Sequence, residues 1–581
     1  MVTGAFSLDA APARFAPARV GRPWTGTEVA AAAINLLLAV AVVAYFHDRF
    51  WWPADDGAYA YVADQLRHGA VLNRDIHDVH GGYVHFLHAW AFDLFGRDLV
   101  SLRYPLAALT VLQSVIVFAL LRAIAGPAAL AGGLAMSALT FVQYLNPTAN
   151  WYALFLAVVV AALLAANLQR TLWGLVLIGA MLALTLCFRQ LTGIFVAMAA
   201  VTWLLVSDRP ERPGAAILAR GVIAIMAAGL AGYLFLKADA ASLALYGIGP
   251  LALLAAAAYC TGTSDRRVTT IAGGLALGAA LGILPLVLYN VAHGSLGVWW
   301  HDITVGAVAL TDIDFFDRAS YALLATMAGV NIVGSGSPAA VLNGVFWLVV
   351  LLAPLILAIA AVRELLAGKT PHPLVVVAVF YGLVAAHYAI PLYASYPAGI
   401  VLAGWVAVAE GPRTRIAALA TIVFACAVGL VFQAGQPLSR DYAGIVRGDR
   451  VALDSDGLPG ASVKMESADA AMYGRFLAFI DAHAAPGATI LGLPMTPQLY
   501  FLSARKPPVR WIIAPLGLLR PEDVDDAWRA IAADPPAVVV FRPDDKYTTP
   551  LVRDLMDRLR PQLTLCASEA GFELYVAECG A

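Results

Sequence analysis

The chain has 581 residues, 61% of them hydrophobic and 13% charged, where a soluble domain carries roughly 25% charged residues. A formal net charge of −2 leaves no basic field to hold nucleic acid. A mean hydropathy of +0.76 places the chain in lipid as an α-helical polytopic membrane protein. Cys187, Cys260 and Cys426 lie in apolar runs and read as small buried hydrophobes. Cys566 and Cys579 flank a turn at Glu569 to Gly571 and read equally as a hairpin disulfide in an oxidising compartment or as two thiols.

Arg14, Arg19 and Arg22 precede an apolar stretch from Val29 to Tyr45 with no small-residue cleavage site after it, so the stretch reads as an uncleaved first transmembrane helix. A span needs about 20 apolar residues, and about thirteen such segments follow one another, several short or closely coupled. They begin near Val29, Leu99, Pro127, Trp151, Leu172, Leu191, Val222, Leu243, Ile271, Leu342, Leu374, Tyr396 and Ile416. Basic residues gather in alternate loops, at Arg122, Arg170, Arg209, Arg212, Arg220, Arg266, Arg267, Arg363, Lys369, Arg413 and Arg415. The positive-inside rule puts these on the side of the N-terminus. An odd number of spans then sets the first loop (47–98), the loop from Ala292 to Ala340 and the tail after Phe432 on the other face.

Residues 1–432 form the membrane domain and 433–468, rich in Gly, Asp and Ser, a linker. Residues 469–581 form a soluble α/β unit. Its expected strands are Ala488 to Leu493, Ala537 to Phe541 and Phe572 to Ala577; its helices are Ala471 to His483, Pro521 to Ala532 and Pro550 to Leu559.

Directly after the first span comes Trp51-Trp52-Pro53-Ala54-Asp55-Asp56-Gly57-Ala58-Tyr59. The tryptophans suit the interfacial belt and set the two acids at head-group depth. A carboxylate beside apolar surface can be tuned as a general base; paired acids also cap a helix, here Gly57 to Arg67. From position alone the two readings stand level. The loop continues Leu72-Asn73-Arg74-Asp75-Ile76-His77-Asp78-Val79-His80-Gly81-Gly82-Tyr83, then an amphipathic stretch from Val84 to Phe95. His77, Asp78 and His80, with His85 and His88 close by, raise a divalent metal as a cofactor, against polar groups on an interfacial helix.

The acid pair after the first helix, the Asn73-Arg74-Asp75 run, the glycine turn and the Leu-Phe-Gly-Arg-Asp that closes the loop resemble the GT-C membrane glycosyltransferases, near the protein O-mannosyltransferase and aminoarabinose-transferase group. The resemblance extends to Cys187-Phe188-Arg189-Gln190-Leu191-Thr192-Gly193, to Tyr289 to Trp300, to His387 to Pro397 and to Pro497 to Pro508. It implies a multi-pass protein of a bacterial inner membrane, N-terminus cytoplasmic and C-terminal unit outside. It implies an inverting transfer of a sugar from a polyprenyl-phosphate donor to a hydroxyl of a cell-envelope glycan, lipid or protein. Asp55 takes the slot of the catalytic base and Asp56 that of the second acid. Asp75, Tyr59, Gln190 and Tyr393 fall where substrate is bound. Where many members carry Lys-Pro-Pro, this chain reads Val79-His80-Gly81-Gly82, and His80 stands in for the lysine.

A leaving phosphate gains charge, so cations aimed at it lower the barrier. Arg189, at the outer end of a span against the positive-inside bias, is costly without an anionic partner, either the phosphate or an acid of the first loop; Arg74 and Arg103 are further candidates. Trp299-Trp300-His301-Asp302 sits at a membrane edge, Asp312, Asp314 and Asp317 follow as solvated acids, and Tyr388, Tyr393 and Tyr396 read as interfacial anchors. Three rivals remain, one of them a non-catalytic glycan-binding or assembly subunit in which the aspartate pair is dispensable. A flippase for lipid-linked saccharide would show broken helices and inverted halves; an oligosaccharide polymerase or ligase would use the same lipid donors.

Overall fold

The computed structural model describes residues 23–207, 216–311, 320–436 and 441–579. Arg14, Arg19, Arg22, Arg209, Arg212, Asp312, Asp314 and Asp317 lie outside them. Three helices open the described chain: α1 (Gly26–Phe46), α2 (Pro53–Arg67) and α3 (Tyr83–Phe95). Thr25 and Glu28 close a capping box at the start of α1, satisfying two otherwise orphaned N–H groups. The buried Glu28 also meets Arg122 at 3.4 Å, and the Arg122 guanidinium lies over the Trp24 ring, 4.2 Å from its centroid.

Among the described residues nine helices are long and apolar enough to cross a membrane, and five shorter apolar helices accompany them. One of the nine, 99–138, is two arms. At Gly126 the backbone turns to φ +59°, and the chain reverses so that Gln113 donates to the Met136 carbonyl at 3.2 Å. Each of the thirteen expected segments has an apolar helix, three of which, Ala149–Ala165, Leu172–Phe188 and Pro373–Ala386, are shorter than the about 20 residues of a typical span. Ala149–Ala165 and Pro373–Ala386 are packed almost wholly inside protein, where a helix need not match the bilayer thickness. The loop expected from Ala292 to Ala340 is not simply polar, since it holds the apolar helices Leu296–Leu310 and Tyr321–Gly334.

The C-terminal unit is built on a four-stranded sheet of order β1-β2-β4-β3, from β1 (Ile490–Leu493), β2 (Val538–Phe541), β3 (Thr564–Glu569) and β4 (Phe572–Val576). β1 and β2 are parallel and the other pairs antiparallel. Period-two alternation divides its apolar residues between two faces. Leu491, Leu493, Val539, Phe541 and Tyr575 pack under helices Pro521–Ala533 and Pro550–Leu559. Ile490, Val538, Val540, Phe572 and Leu574 belong instead to the core continuous with the membrane domain. The β3–β4 hairpin turns at Ala570-Gly571, both at positive φ, and Cys566 and Cys579 are joined as a disulfide.

That continuous core is why the unit sits firmly on the first loop. Phe501 stacks on Phe92 of α3 at 5.7 Å and Tyr500 meets Tyr61 of α2 at 5.5 Å. A Cβ at Gly57 would lie 2.3 Å from the Gln498 backbone, so only glycine lets helix Pro497–Ser503 approach α2 so closely. The segment expected as a linker is a packed strap over its described part: the N–H of Lys464 donates to the Asp48 carbonyl at 2.6 Å and Phe50 donates to that of Lys464 at 2.7 Å.

Candidate functional site

A cavity of about 240 Å³ opens where the first loop, the segment before helix Ala149–Ala165, the turn at Arg189, the start of helix Pro391–Val408 and the C-terminal unit converge. Pro53 begins α2 at a position that needs no N–H, and Asp55 and Asp56 fall in its first turn. The helix therefore starts four residues before the expected Gly57, and the two acids diverge.

Asp56 is fully buried and does the capping: its Oδ2 accepts from the Trp52 N–H at 2.8 Å and from Arg103 Nη2 at 3.1 Å. Arg103 also donates to the carbonyls of His47, Arg49 and Phe50. Their joint effect ties the end of α1 to the start of α2, away from the cavity. Asp55 faces the cavity instead. Its Oδ2 accepts from Asn146 Nδ2 at 2.6 Å and from the Tyr144 hydroxyl at 3.3 Å. Burial, with Asp56 beside it, pushes the Asp55 carboxyl up to about 6, against the lowering effect of Asn146, Tyr144 and Arg189.

Arg189 stands between helices Leu172–Phe188 and Gln190–Ser207 in an extended conformation, φ −146° and ψ 106°. The break in the helix turns its guanidinium into the cavity, where Nη2 donates to the Tyr393 hydroxyl at 3.4 Å. Among the described residues no carboxylate lies within ion-pairing distance of it. A cation so placed favours an anionic ligand. Tyr388, Tyr393 and Tyr396 form a run of edge-on rings along the same wall.

The structure thus brings Asp55, Tyr59, His77, Asp78, His80, Arg189 and Tyr393 to one cavity. Tyr59 holds His80 Nε2 at 3.4 Å and donates to Thr148 at 3.5 Å. The other expected site residues lie elsewhere. Arg74 is exposed and paired with Asp75 at 2.9 Å. Asp75 also accepts from the Val71 N–H, a local turn contact. Gln190 donates to the carbonyls of Val79 and Ile303, holding the loop rather than lining the cavity.

The histidine cluster differs in membership from the expected one. His77 lies 3.8 Å from Asp302, which is drawn to Arg510 of the C-terminal unit at 2.6 Å. Asp78 instead meets His80 Nδ1 at 3.1 Å and His85 Nε2 at 3.0 Å, and these three residues could hold a metal ion. Burial alone would raise the Asp78 carboxyl, but His85 and His80 outweigh it and hold it well below the usual carboxylate range.

Sequence reasoning missed Tyr144 and Asn146, and the cavity wall supplied by Met495, Ile512, Ile513, Leu516 and Tyr547. The run Asn146-Pro147-Thr148 carried a signal, a polar break in apolar sequence. Thr148 caps the next helix, and that role accounts for such a break without any function.

Fold and cavity together define a polytopic helical membrane protein with a docked α/β unit and an acid, a cation and tyrosines facing one chamber. No protein-family model and no curated protein matches the chain. Among solved structures it is similar to ArnT from Cupriavidus metallidurans in the apo state, at 13% identity over 95% of this chain and 97% of that one, with a TM-score of 0.37. It is also similar to ArnT from the same organism bound to undecaprenyl phosphate, at 13% identity over 95% of this chain and 98% of that one, with a TM-score of 0.33. At this low superposition the chemistry of the cavity rests on the residues that line it.

Proposed function

We propose that the chain is an inverting glycosyltransferase that moves a sugar from a polyprenyl-phosphate donor to a hydroxyl of a cell-envelope acceptor, at the outer face of a bacterial inner membrane. The observation that carries this reading is a carboxylate raised to about 6 in the same cavity as an arginine that, among the described residues, has no acidic partner. Asp55 takes the acceptor hydroxyl's proton as that oxygen attacks the anomeric carbon. The bond to the phosphate oxygen breaks on the opposite face, which inverts the centre, and polyprenyl phosphate leaves with the bonding pair. Arg189 meets the growing charge on the phosphate, where preorganised donors lower a barrier most. Tyr144 and Asn146 orient the base, and the tyrosine rings give the sugar a stacking wall.

Interfacial Trp52 on the cavity rim supports a membrane-borne donor, and the disulfide in the C-terminal unit supports an oxidising, outer location for it. The test is release of labelled sugar from a polyprenyl-phosphate sugar, with purified wild type, Asp55→Asn and Asp56→Asn and a membrane-extract acceptor. Turnover by wild type and none by a folded Asp55→Asn is the expected result. Equal turnover by Asp55→Asn and wild type removes the base and favours a flippase.

A further inference from the structure

Beside Asp55 in the cavity wall lies a group of side chains that the transfer chemistry above does not use. His85, on the first turns of α3, is 2% exposed, and neither of its ring nitrogens has a hydrogen-bond partner. Leaving a buried polar group unmatched costs about 1–3 kcal/mol, so an imidazole held this way needs a reason. Its Nε2 points to Asp78 Oδ1 at 3.0 Å without the alignment of a hydrogen bond. On the other side of that oxygen, His80 Nδ1 stands at 3.1 Å. No two of the three ligand atoms are more than 4.8 Å apart.

We propose that Asp78, His80 and His85 form a binding site for a divalent transition-metal ion of the Zn²⁺ class, with its open coordination positions facing the cavity. Bonds of about 2.0 Å in a tetrahedral site set ligand atoms about 3.3 Å apart. The two edges through Asp78 are near that value, and the third is within 4.8 Å. Two imidazoles and a carboxylate suit a borderline cation better than a hard one. Two of the three ligands have supporting contacts: His80 Nε2 meets the Tyr59 hydroxyl at 3.4 Å, and Asp78 Oδ2 accepts the His80 N–H at 2.6 Å. Such contacts fix the ring and carboxylate orientations of metal ligands. Asn73 Nδ2, donating to the Asp78 carbonyl at 2.7 Å, anchors the loop that carries two of the ligands. All three residues line the cavity, so an anionic oxygen of a bound molecule completes the coordination; that this oxygen belongs to the donor phosphate rests on the proposed function.

The test uses the full chain in detergent, stripped with chelator, equilibrated with Zn²⁺ or Co²⁺ and desalted. Wild type and His293→Ala, a surface control, are expected to retain about one ion per chain and to show the visible bands of liganded Co²⁺. His85→Ala, Asp78→Asn and the size-conserving His85→Gln are expected to bind at least about tenfold more weakly. Wild type retaining no more metal than His85→Gln overturns the site. The readout is independent of turnover: stoichiometric binding together with an active Asp55→Asn keeps the metal site and removes the glycosyl-transfer reading. Absence of binding together with an inactive Asp55→Asn does the reverse.

Discussion

The two adjacent acids of α2 show how one residue step on a helix separates a cavity-facing carboxylate from a buried supporting one. Successive helical side chains point about 100° apart, so when Asp56 turns in to Arg103 and the Trp52 N–H, Asp55 turns out to the cavity. Asp55→Asn is expected to lower the rate of sugar release by about 10²–10⁴-fold, the range for loss of a positioned base. In the proposed role of base Asp55 works only when ionised, and its carboxyl is raised to about 6. The wild-type rate is therefore expected to climb as pH rises through about 6 and to level above it, measured as a pH–rate profile. Arg189→Ala is expected to lose about 10²-fold or more with the same assay. Arg103→Leu leaves Asp56 as a buried, unpaired charge, costing about 3–5 kcal/mol. Its expected signature is a fall in thermal midpoint, with the Michaelis constant for the donor unchanged in the protein that folds.

At the scale of elements, close backbone approach decides what can be substituted. Gly57 touches the Gln498 backbone and Gly81 the Cys187 carbonyl, where a Cβ would sit 2.3 and 2.4 Å from its neighbours. Gly57→Ala is expected to destabilise by about 1–3 kcal/mol through forced backbone shifts. Limited proteolysis would show it as faster cleavage after Phe432, and unchanged cleavage would contradict the contact. Elements with strong periodicity were legible beforehand: helix Pro550–Leu559 begins and ends where its amphipathic pattern does. β3 was not, because its residues are exposed or half-buried on an edge, which leaves no alternation to read. The apolar helices Leu296–Leu310 and Tyr321–Gly334 were hidden by their shortness and by the acids between them.

For the molecule as a whole, the C-terminal unit is part of the chamber rather than an appendage. Arg510 donates to Asp302 and to the Asn73 carbonyl, and its own carbonyl accepts from His77. This stitches the segment that carries Ile512, Ile513 and Leu516 to the first loop. Asp302→Asn, Arg510→Gln and the double variant form a cycle in which a coupling of about 1–3 kcal/mol is expected from thermal unfolding. Additive single effects would mean that the pair does not hold the unit in place. Arg97 supplies a second tie, donating to the Phe501 carbonyl at 2.6 Å and pairing with Asp64 at 3.0 Å.

What the amino-acid order determined by itself was local. Hydropathy set the apolar helices, the tryptophan–acid run set Asp55 at the edge of the first span, and short β-rich runs set three of the four strands. Each of these depends on neighbours within a few turns of chain. Which acid faces the chamber, that Arg189 has no acidic partner among the described residues, that Tyr144 and Asn146 hold Asp55, and that His85 replaces His77 beside Asp78 were decided by tertiary structure. Those facts join residues as far apart as Asp55 and Asn146, or Asn73 and Arg510. Such contacts arise from helices packing around a shared core, and no spacing along the chain encodes them.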